Sequence, residues 1–361
     1  MADSIFNPQG KKTLLTVDGG GARGIIPLMV LKRLEDVTGQ RANELFDFVG
    51  GTSVGALIAA GLAAGRSASE MIELYDRFVQ LIFKKDWLAI IFKHGLRYLY
   101  DKDEMRALLL DYVGDVRLND LETIILLTVK DMARAETIFF VNRGPGAAVT
   151  GHASLARVAE ASATAPVYFE PLGDAVDGGV GTYGNACYVA TVEALEYLGE
   201  PGWEDGNIIH VSLGTGLSLQ RLERGEARRW MPWQWPLWVV DELLEEATDN
   251  NVRLTVRHYG DRIDFRRYQV SLYDDIVRGE LGVAIPPGVV TNDLGMDSAS
   301  PEAVMVMREI GKHFAAGIDF SLTGKQLLEP GNAPPGYAGA PYRPARLPAL
   351  TPEEVDRMLG L

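Results

Sequence analysis

The sequence has few of the features that mark secreted, membrane-spanning or metal-clustered proteins. Its 361 residues include one cysteine, Cys187, so the chain can form no internal disulfide and no cysteine cluster around a metal. We interpret Cys187 as a small buried hydrophobe, which is how free cysteine usually behaves. No apolar run approaches the roughly 20 residues that a membrane-spanning helix needs. Residues 1–12 are polar and lack the apolar stretch of a secretory signal, so we expect a cytoplasmic protein.

The sequence is also poor in basic residues. It has 35 Lys and Arg against 49 Asp and Glu, which gives a formal net charge of −14. Because binding to nucleic acid depends on a surplus of Lys and Arg facing the phosphates, we expect no nucleic-acid partner. The same deficit argues against attraction of the whole chain to an anionic membrane, although a local basic patch could still dock.

Short apolar runs alternate with segments that have the spacing of helices. Residues 13–17 predict a buried strand, and residues 25–38 predict a helix with one apolar stripe. Further strands are predicted at residues 48–50, 123–129, 137–141 and 208–213. Strands separated by helices indicate an α/β protein with a mainly parallel sheet covered on both faces.

Residues 51–55, here called the serine turn, read Gly-Thr-Ser-Val-Gly. This fits the Gly-x-Ser-x-Gly pattern, in which a sharp strand-to-helix turn exposes a serine hydroxyl. Gly51 and Gly55 remove side chains that would block the turn, and the following helix can offer N–H groups to an oxyanion. The simpler interpretation is a glycine-rich turn that happens to contain a serine. The position of Ser53 between a strand-like run and a helix of small residues favours a nucleophile.

Residues 18–24, here called the glycine loop, allow two interpretations. Gly19, Gly21 and Gly24 match the Gly-x-Gly-x-x-Gly fingerprint of dinucleotide-binding proteins. That site also needs an acid at the end of the second strand, whereas Glu44 and Asp47 precede or begin that strand. The N–H groups at such a helix start serve an oxyanion equally well.

No histidine stands out as the base that would activate Ser53. An ordinary α/β-hydrolase has the order Ser, acid, His and places several strands before its nucleophile, whereas Ser53 follows the second predicted strand. We interpret His210, inside the predicted strand at 208–213, as a satisfied core residue.

Asp177, followed by Gly178 and Gly179, is the other candidate base. It comes directly after a strand-like stretch over residues 169–176, and the two glycines let the backbone pass close to a neighbour. In isolation, an aspartate in this position is often no more than a turn residue. Residues 177–179 are here called the aspartate turn.

The glycine loop, the serine turn and the aspartate turn, in this order, resemble the patatin-like phospholipases. Three further segments are similar to parts of that family: residues 162–166 with Phe169, residues 212–216 and residues 297–302. The resemblance covers about residues 12–320. One departure is visible at residues 180–186, where many members have a run ending in Asn-Asn-Pro and this chain has one Asn and no Pro.

The resemblance implies a three-layer α/β/α patatin-like fold and a catalytic Ser–Asp dyad that needs no metal and no organic cofactor. Carried over by motif, Ser53 is the nucleophile and Asp177 is the base. The implied oxyanion group and the remaining motif positions are Gly20, Gly21, Ala22 and Arg23, together with Gly19, Gly24, Gly51, Gly55, Gly178 and Gly179. For Arg23 two roles stay open: orienting the loop or binding a lipid phosphate, and a structural ion pair.

The implied function is a lipid acyl hydrolase of the phospholipase A or lysophospholipase type, acting on a lipid or phospholipid ester through an acyl-serine. One alternative is a cyclic-nucleotide-activated phospholipase effector of bacterial antiphage defence. Others are an acyltransferase and a non-hydrolytic lipid-binding signalling protein. Residues 81–100 and 228–238 mix aromatic and basic residues, which is typical of a membrane-facing surface and also of a core or dimer contact.

Three segments are predicted along the chain. Residues 1–12 form a polar N-terminal segment, residues 13–325 a patatin-like catalytic domain, and residues 326–361 a tail that holds seven of the 18 prolines. The sequence leaves the oligomeric state open.

Overall fold

The computed structural model describes residues 5–82, 102–166, 168–217, 225–232, 235–295, 298–339 and 351. Seven strands in these ranges form one sheet. They are β1 (Lys12–Val17), β2 (Phe48–Gly51), β3 (Ile124–Asp131), β4 (Glu136–Val141), β5 (Ala175–Asp177), β6 (Ile208–Leu213) and β7 (Asp264–Tyr268). The strand order is β4-β3-β2-β1-β6-β7, and β5 pairs with β3 beside this path. β4 and β5 run antiparallel to β3, and the other pairs are parallel.

Helices of the described ranges cover the sheet. They are α1 (Ile25–Thr38), α2 (Ala42–Leu45), α3 (Val54–Ala63), α4 (Ala68–Ile82), α5 (Lys102–Val113), α6 (Ala147–Thr150), α7 (Leu155–Ser162), α8 (Cys187–Val192), α9 (Trp235–Tyr259), α10 (Asp274–Gly279), α11 (Pro301–Ala316) and α12 (Gly324–Leu327). No helix within these residues is long and apolar enough to cross a membrane.

Two apolar cores lie on opposite faces of the sheet. Successive side chains of a strand point to opposite faces, and in β1 Leu15 and Val17 lie in the larger core while Leu14 lies in the smaller one. The larger core also contains residues of α1, α3, α7 and α11, and the smaller one contains residues of α8 and the end of α9. The arrangement is therefore helix, sheet, helix, which confirms the predicted three-layer α/β fold with a mainly parallel sheet.

Most local predictions agree with the structure. α1 has its predicted bounds, with Gly39 left-handed (φ 69°) at its C-terminal end, and β1, β2, β3, β4 and β6 lie where strands were predicted. One prediction needs correction. The stretch over residues 169–176 is not a full strand, because β5 has only three residues and Asp177 is its last. Residues 83–100 and 233–234 of the two predicted membrane-facing segments lie outside the described residues, as do residues 340–350 and 352–361 of the predicted tail.

The pairing of β3 decides where the functional side chains meet. β4 occupies one edge of β3, so β2 and β5 share the other edge. β2 pairs with residues up to Leu127 and β5 pairs with residues from Val129 onward. β2 runs toward this junction and β5 approaches it from the opposite direction. The ends of both strands therefore meet beside Thr128, and the serine turn and the aspartate turn are brought together there.

Candidate active site

Ser53 lies in a strained conformation between β2 and α3. Its φ of 56° and ψ of −128° fall in a region that side-chain-bearing residues rarely adopt, and such strain costs about 1–3 kcal/mol. The turn packs directly on β1, because a Cβ atom at Gly55 would lie 2.1 Å from the carbonyl oxygen of Val17. A Cβ atom at Gly51 would lie 2.2 Å from the carbonyl oxygen of Gly55. Both glycines of the Gly-x-Ser-x-Gly pattern are thus sterically required.

The aspartate turn is fitted against the same junction. A Cβ atom at Gly178 would lie 2.0 Å from the hydroxyl oxygen of Thr128, so only glycine passes this strand. The hydroxyl groups of Thr52 and Thr128 are 2.8 Å apart. Thr52 also donates a hydrogen bond of 2.6 Å to the carbonyl oxygen of Tyr183. These contacts fix the loop after the aspartate against the residue before Ser53.

The hydroxyl of Ser53 lies beside the carboxyl of Asp177, close enough to lower its pKa. The Oδ1 atom of Asp177 also accepts a hydrogen bond of 2.8 Å from the N–H of Gly179. Asp177 is buried, and burial raises the pKa of its carboxyl to about 6, while the bonds from Ser53 and Gly179 act in the opposite direction. A carboxylate with a pKa near the working pH can both accept and return a proton.

The glycine loop lies next to Ser53. The position of a Cβ atom on Gly19 is 3.2 Å from the Cβ atom of Ser53. The loop is anchored from behind, since Thr215 donates a hydrogen bond of 2.7 Å to the carbonyl oxygen of Gly19. Within the described part of the chain, the N–H groups of Gly21 and Ala22 have no hydrogen-bond acceptor. They are therefore available as hydrogen-bond donors beside Ser53, which is what an oxyanion hole requires.

Arg23 is turned away from this role. Its guanidinium is buried and donates a hydrogen bond of 3.0 Å to Glu245 of α9. Its main-chain N–H is bonded to the carbonyl oxygen of Gly20 at 3.0 Å, so it is not an oxyanion donor. Of the two roles that the sequence left open for Arg23, the structure contains the ion pair.

A second buried ion pair supports the glycine loop and was not predicted from the sequence. Arg267 of β7 binds both carboxylate oxygens of Asp18, at 2.7 and 2.5 Å, and donates a hydrogen bond of 2.9 Å to Ser212. Burial raises the pKa of Asp18, and Arg267 acts against this rise. No local pattern could have revealed the pair, because its partners are 249 positions apart and β7 itself was not predicted.

His210 and Cys187 are core residues, as predicted. The two ring nitrogens of His210 are each 2.9 Å from a threonine hydroxyl, those of Thr16 and Thr191, and burial lowers the pKa of the ring to about 3. Cys187 is buried, with its Sγ atom 3.2 Å from the hydroxyl of Thr255.

Part of the chain matches a known protein family. Residues 15–185 match the family model described as patatin-like phospholipase.

Individual relatives share less than a third of their aligned residues with this chain. A cGAMP-activated phospholipase of Escherichia coli is 26% identical over 181 residues, which cover 47% of this chain and 51% of the relative. Patatin-like protein 2 of Oryza sativa subsp. indica is 28% identical over 266 residues, covering 62% of this chain and 65% of the relative. The chain thus spans about half to two-thirds of these relatives. The solved structure of VipD from Legionella pneumophila has a TM-score of 0.36 at 14% identity, covering 82% of this chain and 66% of VipD.

Proposed function

We propose that this chain is a lipid acyl hydrolase of the phospholipase A or lysophospholipase type, with Ser53 as nucleophile and Asp177 as base. The observation that carries the proposal is the position of the Ser53 hydroxyl beside the Asp177 carboxyl. The backbone of Ser53 is strained, and the buried carboxyl has a pKa raised to about 6. A base in this range is ionised at neutral pH and is still a useful proton acceptor. The match of residues 15–185 to the patatin-like phospholipase family model supports a lipid substrate.

The reaction follows from the groups that surround Ser53. Asp177 accepts the hydroxyl proton while Oγ of Ser53 attacks the ester carbonyl, and the N–H groups of Gly21 and Ala22 stabilise the negative oxygen that forms. Collapse of the tetrahedral intermediate breaks the ester bond, and the leaving alcohol takes the proton from Asp177. Water then loses a proton to Asp177 and attacks the carbonyl of the acyl-serine. The bond from the acyl carbon to Oγ of Ser53 breaks, Ser53 takes that proton back from Asp177, and the fatty acid is released. Each proton removed is returned, so the dyad is regenerated.

A lipid panel tests this function. Wild-type protein, Ser53→Ala and Asp177→Asn are incubated with phospholipids and lysophospholipids, and the products are resolved by mass. We expect both variants to lose at least about a thousandfold in turnover, as for other catalytic groups that act as a unit. Ser69→Ala, at an exposed serine of α4, is the matched control and should keep full activity. Near-wild-type turnover by a folded Ser53→Ala protein would contradict the proposed function.

The same panel separates the alternative chemistries. With an added alcohol acceptor, an acyltransferase would form the acylated alcohol in place of free fatty acid. A non-hydrolytic lipid-binding protein would bind the lipid and release neither product.

We also propose peripheral membrane contact through residues 228–238. Arg228 and Arg229 are exposed, and they precede Trp230 and Trp235, whose rings are 5.1 Å apart. Trp235 is 41% exposed. A basic and aromatic surface suits the interface of an anionic bilayer. Co-sedimentation with vesicles of anionic and of zwitterionic phospholipid tests it, and equal, negligible binding to both would contradict it.

Activation by a cyclic dinucleotide is a second candidate property. The relative from Escherichia coli is described as cGAMP-activated. In this chain a cavity of about 770 Å³ lies beside β7 and is lined by none of the predicted site residues. Its charged lining residues are Lys11, Arg262, Arg266, Arg267 and Lys325, together with Asp261 and Asp264. Measuring lipid turnover with and without cGAMP tests whether the nucleotide activates this chain. Full activity on lipid without any nucleotide would exclude it.

A further inference from the structure

Residues 160–164, here called the dyad clamp, contact both members of the proposed dyad. They comprise the C-terminal end of α7 and the two residues that follow it. We infer that Ser162 is a positioning residue for the reaction of Ser53, and that the dyad clamp holds Ser53 and Asp177 in register. This inference rests on the proposed function, because it assigns a role within the same site.

The first contact holds the serine turn. The hydroxyl oxygen of Ser162 accepts a hydrogen bond of 3.1 Å from the main-chain N–H of Ser53. Ser162 is fully buried. Since strained backbone persists only where its surroundings over-determine it, this bond helps to maintain the φ of 56° at Ser53. The direction of the Ser53 hydroxyl depends on that backbone.

The second contact holds the base. The main-chain N–H of Asp177 donates a hydrogen bond of 3.0 Å to the carbonyl oxygen of Thr164. Thr164 is only two positions after Ser162, so the main chains of nucleophile and base are both bonded to one short segment. A rigid segment of this kind sets the distance between the two side chains.

The dyad clamp is itself fixed in place. Thr164 donates a hydrogen bond of 2.7 Å from its hydroxyl to the carbonyl oxygen of Glu160. Glu160 is fully buried and its carboxylate receives three hydrogen bonds from Arg106 of α5, at 3.2, 3.0 and 2.8 Å. Arg157 adds one more at 2.9 Å. Charge-assisted, bidentate bonds of this type fix geometry as well as adding stability.

The position of Ser53 affects the rate because its Oγ atom must attack the ester carbonyl from a defined direction. Misplacement of a reacting group by about 1 Å can cost about a hundredfold in rate. Ser162 bonds the main chain of Ser53 and none of the reacting atoms, so it acts through Ser53. A positioning residue should therefore change kcat with little change in KM.

The experiment compares Ser162→Ala with two matched variants. Ser162→Thr keeps a hydroxyl acceptor, and Ser154→Ala removes a serine hydroxyl from the other end of α7, where that side chain makes no capping hydrogen bond. Steady-state kinetics are measured with the soluble ester p-nitrophenyl butyrate, together with the rate of labelling by a fluorophosphonate. We expect kcat of Ser162→Ala to fall about 10- to 100-fold with KM within about twofold, since a buried donor loses its acceptor.

The pH dependence distinguishes positioning from general damage. The bond from Ser53 holds the pKa of Asp177 down, so a misplaced Ser53 lets that pKa rise. The acid limb of kcat/KM should therefore move to higher pH in Ser162→Ala. It should return toward the wild-type position in Ser162→Thr and stay in place in Ser154→Ala.

Three results would overturn the inference. These are unchanged kcat in folded Ser162→Ala, an equal loss in Ser154→Ala, and a lower kcat with an unmoved acid limb and no recovery in Ser162→Thr. If Ser162→Ala does not fold, the isosteric Ser162→Cys carries the test, because sulfur is a weak acceptor. Absence of labelling at Ser53 in wild-type protein would instead refute the proposed function, and this inference with it.

Discussion

The hydroxyl of Ser53 lies beside the carboxyl of Asp177 and lowers its pKa, at the point where β2 and β5 meet on one edge of β3. Each strand supplies one of the two groups from its last residues or from the turn that follows. Burial of the carboxylate raises its pKa to about 6, a value that suits the base of the proposed dyad at neutral pH.

The activity should depend on pH through Asp177. The carboxylate must be ionised to accept the serine proton, so activity is present above its pKa and is lost as the pH falls through about 6. We expect kcat/KM to decline about tenfold per pH unit below that value. The measurement is kcat/KM for a soluble ester between pH 5 and 9, with recovery at pH 8 after acid exposure as the control. A flat profile down to pH 5 would speak against Asp177 as the base.

Asp177→Asn should stabilise the fold at high pH. Because the pKa of Asp177 is raised from 3.8 to about 6, the folded state binds its proton more tightly than the unfolded state, and stability falls as pH rises through this window. The ionised carboxylate therefore lowers the free energy of unfolding at pH 8 by about 1–3 kcal/mol, and the amide removes that penalty. Urea unfolding at pH 8 and pH 4 tests this. The gain should shrink to less than about 1 kcal/mol at pH 4, close to the unfolded-state pKa of 3.8, and a variant less stable than wild type at pH 8 would contradict the account.

Gly55→Ala should disrupt the packing of the serine turn on β1. The added Cβ atom would lie 2.1 Å from the carbonyl oxygen of Val17, which is main chain and cannot rotate away. We expect the free energy of unfolding to fall by about 3 kcal/mol or more and the activity to be lost. Gly279→Ala is the matched control, since its added atom meets nothing within 4 Å and it should change stability by less than about 1 kcal/mol. Equal stability of the two variants would contradict this packing.

Arg23 and Glu245 should behave as a coupled pair. Both are largely buried and 3.0 Å apart, so removing either leaves an uncompensated charge. In a double-mutant cycle of Arg23→Ala and Glu245→Ala, we expect the combined loss of stability to be about 1–3 kcal/mol smaller than the sum of the single losses. Arg253→Ala, at an exposed arginine, should cost less than about 1 kcal/mol. Additive losses, with KM raised for phospholipid alone, would point to a phosphate-binding Arg23.

The sequence predicts those parts of the fold that local patterns determine. Apolar runs located β1, β3 and β6, and glycine spacing located the serine turn, whose glycines are required by contacts of 2.1 and 2.2 Å. Asp177 was proposed as the base from its turn and from the order of motifs. Its local setting was misjudged, because a strand of three residues leaves almost no apolar signature.

Contacts between distant segments could not be predicted in the same way. Ser162 contacts Ser53 across 109 positions, and Arg267 contacts Asp18 across 249. Ser162 lies at the end of a helix and Arg267 lies in a strand, and the local sequence of each indicates no more than a buried segment. Their relevance to the site depends on which strands are neighbours, and the sequence alone left that order open.

Covalent labelling tests the central claim most directly. Wild-type protein, Ser53→Ala and Asp177→Asn are treated with a fluorophosphonate, and the modified peptide is identified by mass spectrometry. The account predicts a single adduct on Ser53 in wild-type protein, none on the corresponding peptide of Ser53→Ala, and labelling of Asp177→Asn slowed by about a hundredfold or more. An adduct on another serine, or labelling of Asp177→Asn at the wild-type rate, would contradict the assignment of Ser53 and Asp177 as the catalytic dyad.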